Sequence, residues 1–395
     1  MIMNTPKSPG ILLTTFCAGV LCTSLIGAGG PAGSQKVAPH TKTNLQESEL
    51  DQAWEYFRGD SKSSGVTTTE LPSELEVLWK FEVADGAFES SASIVDNVVY
   101  IGDLDGKIYA LDFETGEKVW EFVTEDELGF VTTPVVKDGL LYAGDVTGYF
   151  YCLDLKGNQK WKYETLAEIN SSANFFGDNV IFGSQDSVLY CLDAKTGEEV
   201  WKYQAADQIR CSPTIVEERV FLAGCDGQLT AVDLNKGESI GQVDIRSQTG
   251  VTPAVDGDFV YFGTESAGFY SVNWKDMEMY WNTDNRNSIR ASPAVSDGIV
   301  VYGGHDRTIH CLDAVTGALI WEYRTRGKIN CSPIIAGERV YAGSDDGRVY
   351  VFNLKDGKKL SEIELGGEVS SGLAAAREKL VVATLRGVVY CLGKK

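Results

Sequence analysis

Residues 292–323, SPAVSDGIVVYGGHDRTIHCLDAVTGALIWEY, contain four short apolar runs separated by polar gaps. The gaps hold Ser296-Asp297-Gly298, the stretch 305–307 and a Thr-Gly pair at 316–317. The runs are rich in β-branched and aromatic residues, while the gaps carry the residue types that form tight turns. This pattern predicts four antiparallel strands joined by short turns.

The four-run unit repeats along the chain. Tryptophans in its fourth run recur with steps of 41, 41, 40, 80 and 40 residues, and the step of 80 spans two units with Gly241 in the missing position. A four-stranded unit of about 40 residues is typical of a β-propeller blade. The recurring tryptophans are Trp79, Trp120, Trp161, Trp201, Trp281 and Trp321.

The repeat predicts an all-β fold, an eight-bladed propeller of four-stranded antiparallel blades. The last unit lacks a tryptophan run, and an unmatched run, VLWKF at 77–81, precedes the first complete unit. We expect this strand, at about 77–83, to complete the C-terminal blade, because that pairing closes the ring and removes an open edge. The first strands are expected to begin at small hydroxyl residues near Ser91, Thr133, Ser172, Ser212, Thr252, Ser292, Ser332 and Ser371.

The propeller is predicted to span 75–395. The region before it divides into two predicted parts. Lys7 precedes an apolar run at 11–26 and a stretch of small residues at 27–33, which predicts a secretory signal peptide over 1–33. An uncleaved membrane anchor is the alternative, but the run is short and interrupted by Thr and Ser, so cleavage is favoured and leaves no transmembrane segment. Residues 34–74 are predicted to form a linker with a short amphipathic helix at 45–57. The expected location is therefore the periplasm or cell envelope.

Charge and cysteine content narrow the possible partners. The net charge is −21, and a nucleic-acid-binding surface would be basic, so nucleic acid is not expected as a partner. Seven cysteines follow the predicted signal, and four of them occupy a third-strand position that is Ala, Ser or Val in other blades. Cysteine there is expected to act as a small apolar residue. A disulfide between Cys211 and Cys225 remains a possibility. No cysteine spacing indicates a metal site.

Residues 110–120, ALDFETGEKVW, follow the pattern Ala-x-Asp-x-x-Thr-Gly-x-x-x-Trp, which recurs with Cys for Ala at 191–201 and 311–321. The pattern resembles the docking motif of pyrroloquinoline-quinone (PQQ)-like propellers, whose architecture is WD40/YVTN-like. The chain is most similar to the BamB family of outer-membrane protein assembly factors in its length, export signal and short blades. The resemblance implies tryptophans packed between blades and a monomeric propeller that binds a protein in the envelope.

The same comparison bears on catalysis. Quinoprotein dehydrogenases resemble this chain in their repeats, but their quinone pockets are built by insertions, and the units here are 40 or 41 residues throughout. Their adjacent cysteine pair and calcium-binding set are not evident, so no catalytic residue, metal or cofactor, including PQQ and calcium, is predicted. A non-catalytic scaffold is favoured. The alternatives are a quinone- or small-ligand-binding propeller and a purely structural envelope protein.

The candidate binding site lies at the channel rim. The residues two positions before the Ser/Thr layer should encircle the axis, and they are Glu89, Val131, Asn170, Arg210, Gly250, Arg290, Asn330 and Val369. His305, Asp306, Arg307 and Arg386 are expected nearby. An arc of arginine suits a carboxylate, a phosphate or an acidic loop. The alternative is an ordinary solvated rim. The predicted partner-binding residues are Glu89, Asn170, Arg210, Arg290, Asn330, His305, Arg307 and Arg386.

Overall fold

The computed structural model describes residues 53–126, 128–285 and 287–395. Within these ranges the chain forms 33 β-strands and no helix, arranged in eight sheets. The first strands of most neighbouring blades contact each other around a central channel, and so do those of the first and eighth blades. The predicted all-β, eight-bladed propeller is therefore confirmed. The predicted signal peptide at 1–33 lies outside the described residues.

The strands follow one order along the chain. Two strands precede the first blade, and they are β1 (Val66–Thr67) and β2 (Glu76–Glu82). Blades 1 to 4 contain β3 (Ser93–Val95), β4 (Val98–Gly102), β5 (Lys107–Asp112), β6 (Lys118–Val123); β7 (Val135–Lys137), β8 (Leu140–Gly144), β9 (Tyr149–Asp154), β10 (Gln159–Glu164); β11 (Asn174–Phe176), β12 (Asn179–Gly183), β13 (Val188–Asp193), β14 (Glu199–Gln204); and β15 (Thr214–Val216), β16 (Arg219–Ala223), β17 (Gln228–Asp233), β18 (Glu238–Asp244). Blades 5 to 8 contain β19 (Ala254–Asp256), β20 (Phe259–Gly263), β21 (Gly268–Asn273), β22 (Glu278–Asp284); β23 (Ala294–Ser296), β24 (Ile299–Gly303), β25 (Thr308–Asp313), β26 (Leu319–Arg324); β27 (Ile334–Ala336), β28 (Arg339–Ser344), β29 (Arg348–Asn353), β30 (Lys359–Glu364); and β31 (Ala374–Ala376), β32 (Lys379–Ala383), β33 (Val388–Gly393).

Burial decreases from the channel outward within each blade. The four central residues of the third strand β5 are buried, whereas exposed and half-buried residues alternate along the outer strand β6 from Val119 onward. Inner strands lie between two neighbouring blades, so both of their faces are apolar. Outer strands diverge from their neighbours, so part of each one meets water and a period of two appears.

The recurring tryptophans lie between blades. Each indole N–H donates to a backbone carbonyl in the turn before the last strand of the next blade, as Trp79 does to Phe113 at 2.9 Å. The turn glycine below each ring is required, because a Cβ on Gly116 would lie 2.5 Å from the Trp79 ring. The remaining indoles follow the same pattern, with Trp120, Trp161, Trp201, Trp281 and Trp321 donating to Leu155, Ala194, Leu234, Ala314 and Leu354 at 2.7 to 3.1 Å.

Two of the eight positions lack tryptophan and are filled in other ways. Above Gly241 lies the side chain of Met277, which a Cβ on that glycine would meet at 2.7 Å. In blade 7 the position is Ser361, whose hydroxyl donates to the carbonyl of Ser73. Neighbouring parts of the chain therefore supply the contacts that an indole makes elsewhere.

The ring closes through the strand predicted to close it. β2 pairs antiparallel with β33, with Trp79 opposite Cys391. The sheet order β2-β33-β32-β31 places β2 on the outer edge of blade 8. The closing strand spans Glu76–Glu82, close to the predicted 77–83. The first blade and the last are thus joined by pairing between distant parts of the chain.

Residues 53–67, here called the strap, lie across the end of the channel opposite the rim. Their carbonyls accept hydrogen bonds from the first strands of six blades. The donors Ile94, Val136, Ile215, Val255, Val295 and Ile335 bond to Trp54, Glu55, Ser61, Lys62, Ser64 and Gly65 at 2.8 to 3.4 Å. The strap ends in β1, which pairs parallel with β27 and gives blade 7 a fifth strand.

The predicted helix at 45–57 needs correction where the structure describes it. Residues 45–52 lie outside the described residues, but 53–57 form a β-bridge and a turn, with Trp54 paired to Ile94. The innermost strands of a propeller leave backbone N–H groups unpaired along the channel. An extended strap can satisfy these groups, whereas a helix uses its carbonyls internally.

Arg58 anchors the strap and is itself unusual. Only 2% of the residue is exposed, and its Nη2 donates to the carbonyls of Pro293 and Pro333 at 2.9 and 2.6 Å. Nε and Nη1 are buried with no partner among the described residues. Burial lowers the pKa of this guanidinium to about 10. One charged side chain therefore holds the strap to blades 6 and 7.

The cysteines of the propeller are buried free thiols. This holds for all seven in the described residues, including Cys211 and Cys225. Burial raises the pKa of Cys211 to about 12 and also raises that of Cys225. The bridge left open by the sequence is not formed in this structure.

Candidate binding site at the channel rim

The rim is positioned by a layer of hydroxyl residues just inside the channel. In five successive steps, the backbone N–H of one layer residue donates to the hydroxyl of the equivalent residue in the next blade. Thr133 donates to Ser172 at 2.9 Å in this way, and Ser172 donates to Ser212 at 2.9 Å. The chain of bonds continues through Thr252 and Ser292 to Ser332 at 2.9 to 3.1 Å. Small hydroxyl side chains are thus needed at these positions, because they fit the narrow space around the axis and their oxygens accept hydrogen bonds from the neighbouring blade.

The eighth member of this layer differs from the sequence-based expectation. Strand register aligns Ala374 with Ser93, which makes Gly372 the counterpart of Ser91. The position expected there, Ser371, instead bonds to the carbonyl of Ala383. A Cβ at 372 would meet the Ser91 hydroxyl oxygen, so a larger residue here would require that hydroxyl to move. The rim residue of blade 8 is consequently Ser370, and Val369 is fully buried.

The structure brings the predicted rim residues together. A cavity of 170 Å³ at the channel axis is lined by rim residues and by Phe57 of the strap. Phe57 was missed from the sequence, since only the path of the strap brings it to the axis. The rim residues that line the channel cavity include Glu89, Val131, Asn170, Arg210, Gly250, Arg290, Asn330 and Ser370.

The two arginines of the rim are available to an incoming group. Arg210 and Arg290 are both exposed. Arg210 donates to the amide oxygen of Gln208 at 2.9 Å and forms no ion pair with any carboxylate of the described residues. Arg290 lies 3.6 Å from Glu265, an exposed pair that contributes little. Asn170 adds an amide oxygen that is buried without a partner among the described residues. The two arginines can therefore offer hydrogen-bond donors and positive charge to an incoming group, whereas the Asn170 oxygen can only accept.

A side-chain network extends the rim on one side. His305 bonds through Nε2 to Asn330 at 2.7 Å and through Nδ1 to Ser288 at 3.1 Å. Asn330 donates to Asp345 at 2.8 Å, and Ser370 donates to the other oxygen of that carboxylate. Burial raises the pKa of the Asp345 carboxyl. The network fixes the Asn330 amide in place, so this part of the rim is rigid.

Three residues expected nearby lie elsewhere. Asp306 bonds to His310 at 3.1 Å between blades 5 and 6. Arg307 occupies a turn of blade 6 with a positive φ of 70° and is exposed outside the cavity. Arg386 lines a separate depression of 400 Å³ that it shares with Asp345. The geometry therefore confines the candidate site to Glu89, Asn170, Arg210, Arg290, Asn330 and Ser370, with His305 behind Asn330.

The described residues contain neither a metal-binding cluster nor a membrane-spanning helix. No group of three or more His, Cys, Asp or Glu side chains there is placed to hold a metal ion. No helix within the described ranges has the length and apolar character required to cross a bilayer.

The family described as "Outer membrane protein assembly factor BamB" matches residues 73–283 and 276–360, which is most of the chain. The chain belongs to the BamB family. No curated protein sequence matches it.

Solved structures share the fold of this BamB-family chain. BamB from Moraxella catarrhalis aligns with a TM-score of 0.70 at 18% identity, covering 81% of this chain and 100% of its own. A quinohemoprotein alcohol dehydrogenase from Comamonas testosteroni aligns at 0.76 and 13% identity, covering 89% and 82%. A europium-containing methanol dehydrogenase aligns at 0.74 and 10% identity, covering 89% and 99%. The same propeller thus occurs in an assembly factor and in enzymes.

Proposed function

We propose that this protein is a non-catalytic scaffold, exported to the periplasm or cell envelope, that binds a protein partner at the channel rim. Membership of the BamB family supports a role in protein–protein contact. Export is supported by the apolar run at 11–26 that follows Lys7. The partner is proposed to present an acidic loop or carboxylate to the arginine arc.

The observation that carries this proposal is the contrast between the rim and the rest of the molecule. The chain has a net charge of −21, yet Arg210 and Arg290 lie exposed beside one small cavity. Two exposed arginines beside one exposed carboxylate, Glu89, leave the rim locally positive on an acidic body, and such a site can direct an acidic group to one place. Paired N–H donors of arginine also favour carboxylates by geometry.

The competing function, a quinone- or small-ligand-binding propeller, fits the channel less well. Small-molecule sites usually enclose about 300–1,000 Å³, and this cavity has 170 Å³. Dehydrogenase propellers share the fold, but identities of 10 to 13% carry only the architecture. Purified protein supplied with PQQ and calcium, and assayed with alcohols and sugars, is expected to show neither a quinone absorbance band nor dye reduction. A stoichiometric band or turnover would replace the scaffold proposal with an enzymatic one.

The rim proposal is tested by capture from envelope extracts with a charge-reversal pair, Arg210→Glu/Arg290→Glu. The matched control is Lys195→Glu/Lys236→Glu, which reverses two exposed charges on turns at the opposite end of the propeller. We expect the rim variant to lose at least about ten-fold in partner recovery, corresponding to about 1.4 kcal/mol. The control should match wild type. Equal recovery by all three proteins would refute binding at the rim.

A further inference from the structure

Seven of the eight grooves between neighbouring blades have a tyrosine at one or both of two repeated positions, and one groove has none there. In four grooves, the residue two positions after the outer-strand tryptophan position packs against a tyrosine of the next blade's third strand. The pairs are Phe81–Tyr109, Phe122–Tyr151, Tyr163–Tyr190 and Tyr323–Tyr350, with ring centroids 5.2 to 6.0 Å apart. Three further grooves keep one tyrosine of the pair, at Tyr203, Tyr270 or Tyr390.

Between blades 5 and 6 both tyrosine positions are replaced. Register places Thr283 and His310 where the other grooves have the pair, since His310 lies opposite Glu322 as Tyr109 lies opposite Glu121. These smaller side chains leave a cavity of 640 Å³, here called the 5–6 groove. Its volume lies within the range of about 300–1,000 Å³ found for small-molecule sites.

The lining of the 5–6 groove combines acceptors and donors. Asp284 and Glu322 are exposed carboxylates on its wall, and Arg324 is an exposed donor on the same wall. The amide oxygen of Asn285 accepts from the Tyr302 hydroxyl at 2.8 Å, while its Nδ2 is buried without a partner among the described residues. A buried donor without a partner costs free energy, so it favours a ligand that brings an acceptor.

His310 is held in the groove wall and does not fill it. Its ring stacks on Tyr302 at 5.0 Å, and its Nε2 lies 3.1 Å from Asp306. Asp306 also accepts from the backbone N–H of Thr308, so this carboxylate is satisfied. Leu312 and Leu319 line the groove and give it an apolar patch. The wall is therefore preorganised, with polar groups beside an apolar surface.

We propose that the 5–6 groove binds a neutral, polyhydroxylated ligand, a sugar of one or two rings. Arg324 and the free Nδ2 of Asn285 are donors, and a purely donating cation leaves them without an acceptor. An anion is disfavoured by the carboxylates of Asp284 and Glu322. Sugar hydroxyls both donate and accept, so they match this mixture, and the C–H face of a pyranose matches the leucine patch. This inference is independent of the rim and of its partner.

The test uses the full chain with maltose, cellobiose and N,N′-diacetylchitobiose, followed by saturation-transfer NMR and calorimetry. Trilysine and triglutamate serve as charged probes. We expect at least one disaccharide to bind with a Kd below about 10 mM, with neither charged peptide binding comparably. No signal from any disaccharide, or tighter binding of a charged peptide, would overturn the proposal.

Two variants locate the binding. Thr283→Tyr/His310→Tyr installs the Tyr–Tyr pair found in two other grooves, and it should abolish disaccharide binding without lowering the melting temperature. Asn285→Asp replaces the free donor by an acceptor at equal size, and it should weaken binding at least about ten-fold. Its control, Asn282→Asp, alters an exposed residue outside the groove lining and should have no effect. If Thr283→Tyr/His310→Tyr destabilises the fold, the comparison of Asn285→Asp with Asn282→Asp decides whether the groove is the binding site. Equal disaccharide affinity of these two variants would refute the site.

Discussion

Replacing Trp79 by alanine tests whether pairing between distant parts of the chain holds the ring closed. Trp79 is 8% exposed, its indole N–H donates to the carbonyl of Phe113 at 2.9 Å, and its ring covers Gly116 of blade 1. Truncating a buried tryptophan costs about 3–5 kcal/mol. Because the indole is nearly buried and also hydrogen-bonded, we expect a loss of about 4 kcal/mol in the free energy of unfolding.

The assay combines urea unfolding with amide hydrogen exchange. Urea gives the change in stability from the shift of the midpoint. Exchange reports which part of the ring opens first. In Trp79→Ala, the amides of β33 should exchange much faster, since β2 covers that strand. The remaining blades should keep their protection at low denaturant.

Trp201→Ala is the matched control. Its indole makes the same contact with the next blade, donating to Leu234 at 2.9 Å, but it lies within an uninterrupted run of blades. This variant should also lose stability, yet it should leave exchange of β33 unchanged. Our explanation of ring closure would be refuted by a loss below about 1 kcal/mol in Trp79→Ala, or by equal β33 exchange in the two variants.

Three further predictions concern turns, thiols and the strap. Gly317 and Gly298 both have positive φ, 71° and 74°, but a Cβ would lie 2.8 Å from Trp281 at the first and meet nothing within 4 Å at the second. Gly298→Ala should cost about 1 kcal/mol and Gly317→Ala about 3 kcal/mol in urea unfolding, and equal losses would contradict this. Burial raises the pKa of Cys191 from 9.0 to about 12, so its contribution to stability is complete below pH 9 and is lost as pH rises toward 12. The fall in urea midpoint between pH 8 and about pH 10.5 should be smaller in Cys191→Ala than in wild type, and an unchanged fall would exclude this thiol. Deleting residues 1–65 should lower the free energy of unfolding by at least about 3 kcal/mol, because six channel amides lose their acceptors, and unchanged stability would show that the strap is dispensable.

Much of the fold was predictable because its signals are local. Strand alternation, turn residues and a tryptophan every 40 residues are each visible within one blade, so the eight blades and the closing strand at 77–83 followed from them. The rim residues from Glu89 to Asn330 followed as well, because equivalent positions of a repeat occupy equivalent places around the axis. The last blade departs from this regularity at Gly372, and a count of positions alone placed its layer residue one position early, at Ser371.

The blade architecture was thus contained in the repeat itself, since each unit carries its own period of two and its own turns. The strap across the channel, the buried Arg58 and the open groove beside His310 were decided only by the tertiary structure. The strap forms backbone hydrogen bonds with residues up to 270 positions away. Such bonds do not depend on side-chain type, so the pattern of residues in the sequence does not predict them. The groove exists because two substitutions 27 positions apart, at 283 and 310, meet across one interface. Neither residue indicates a cavity by itself, because the cavity forms only where the two blades face each other.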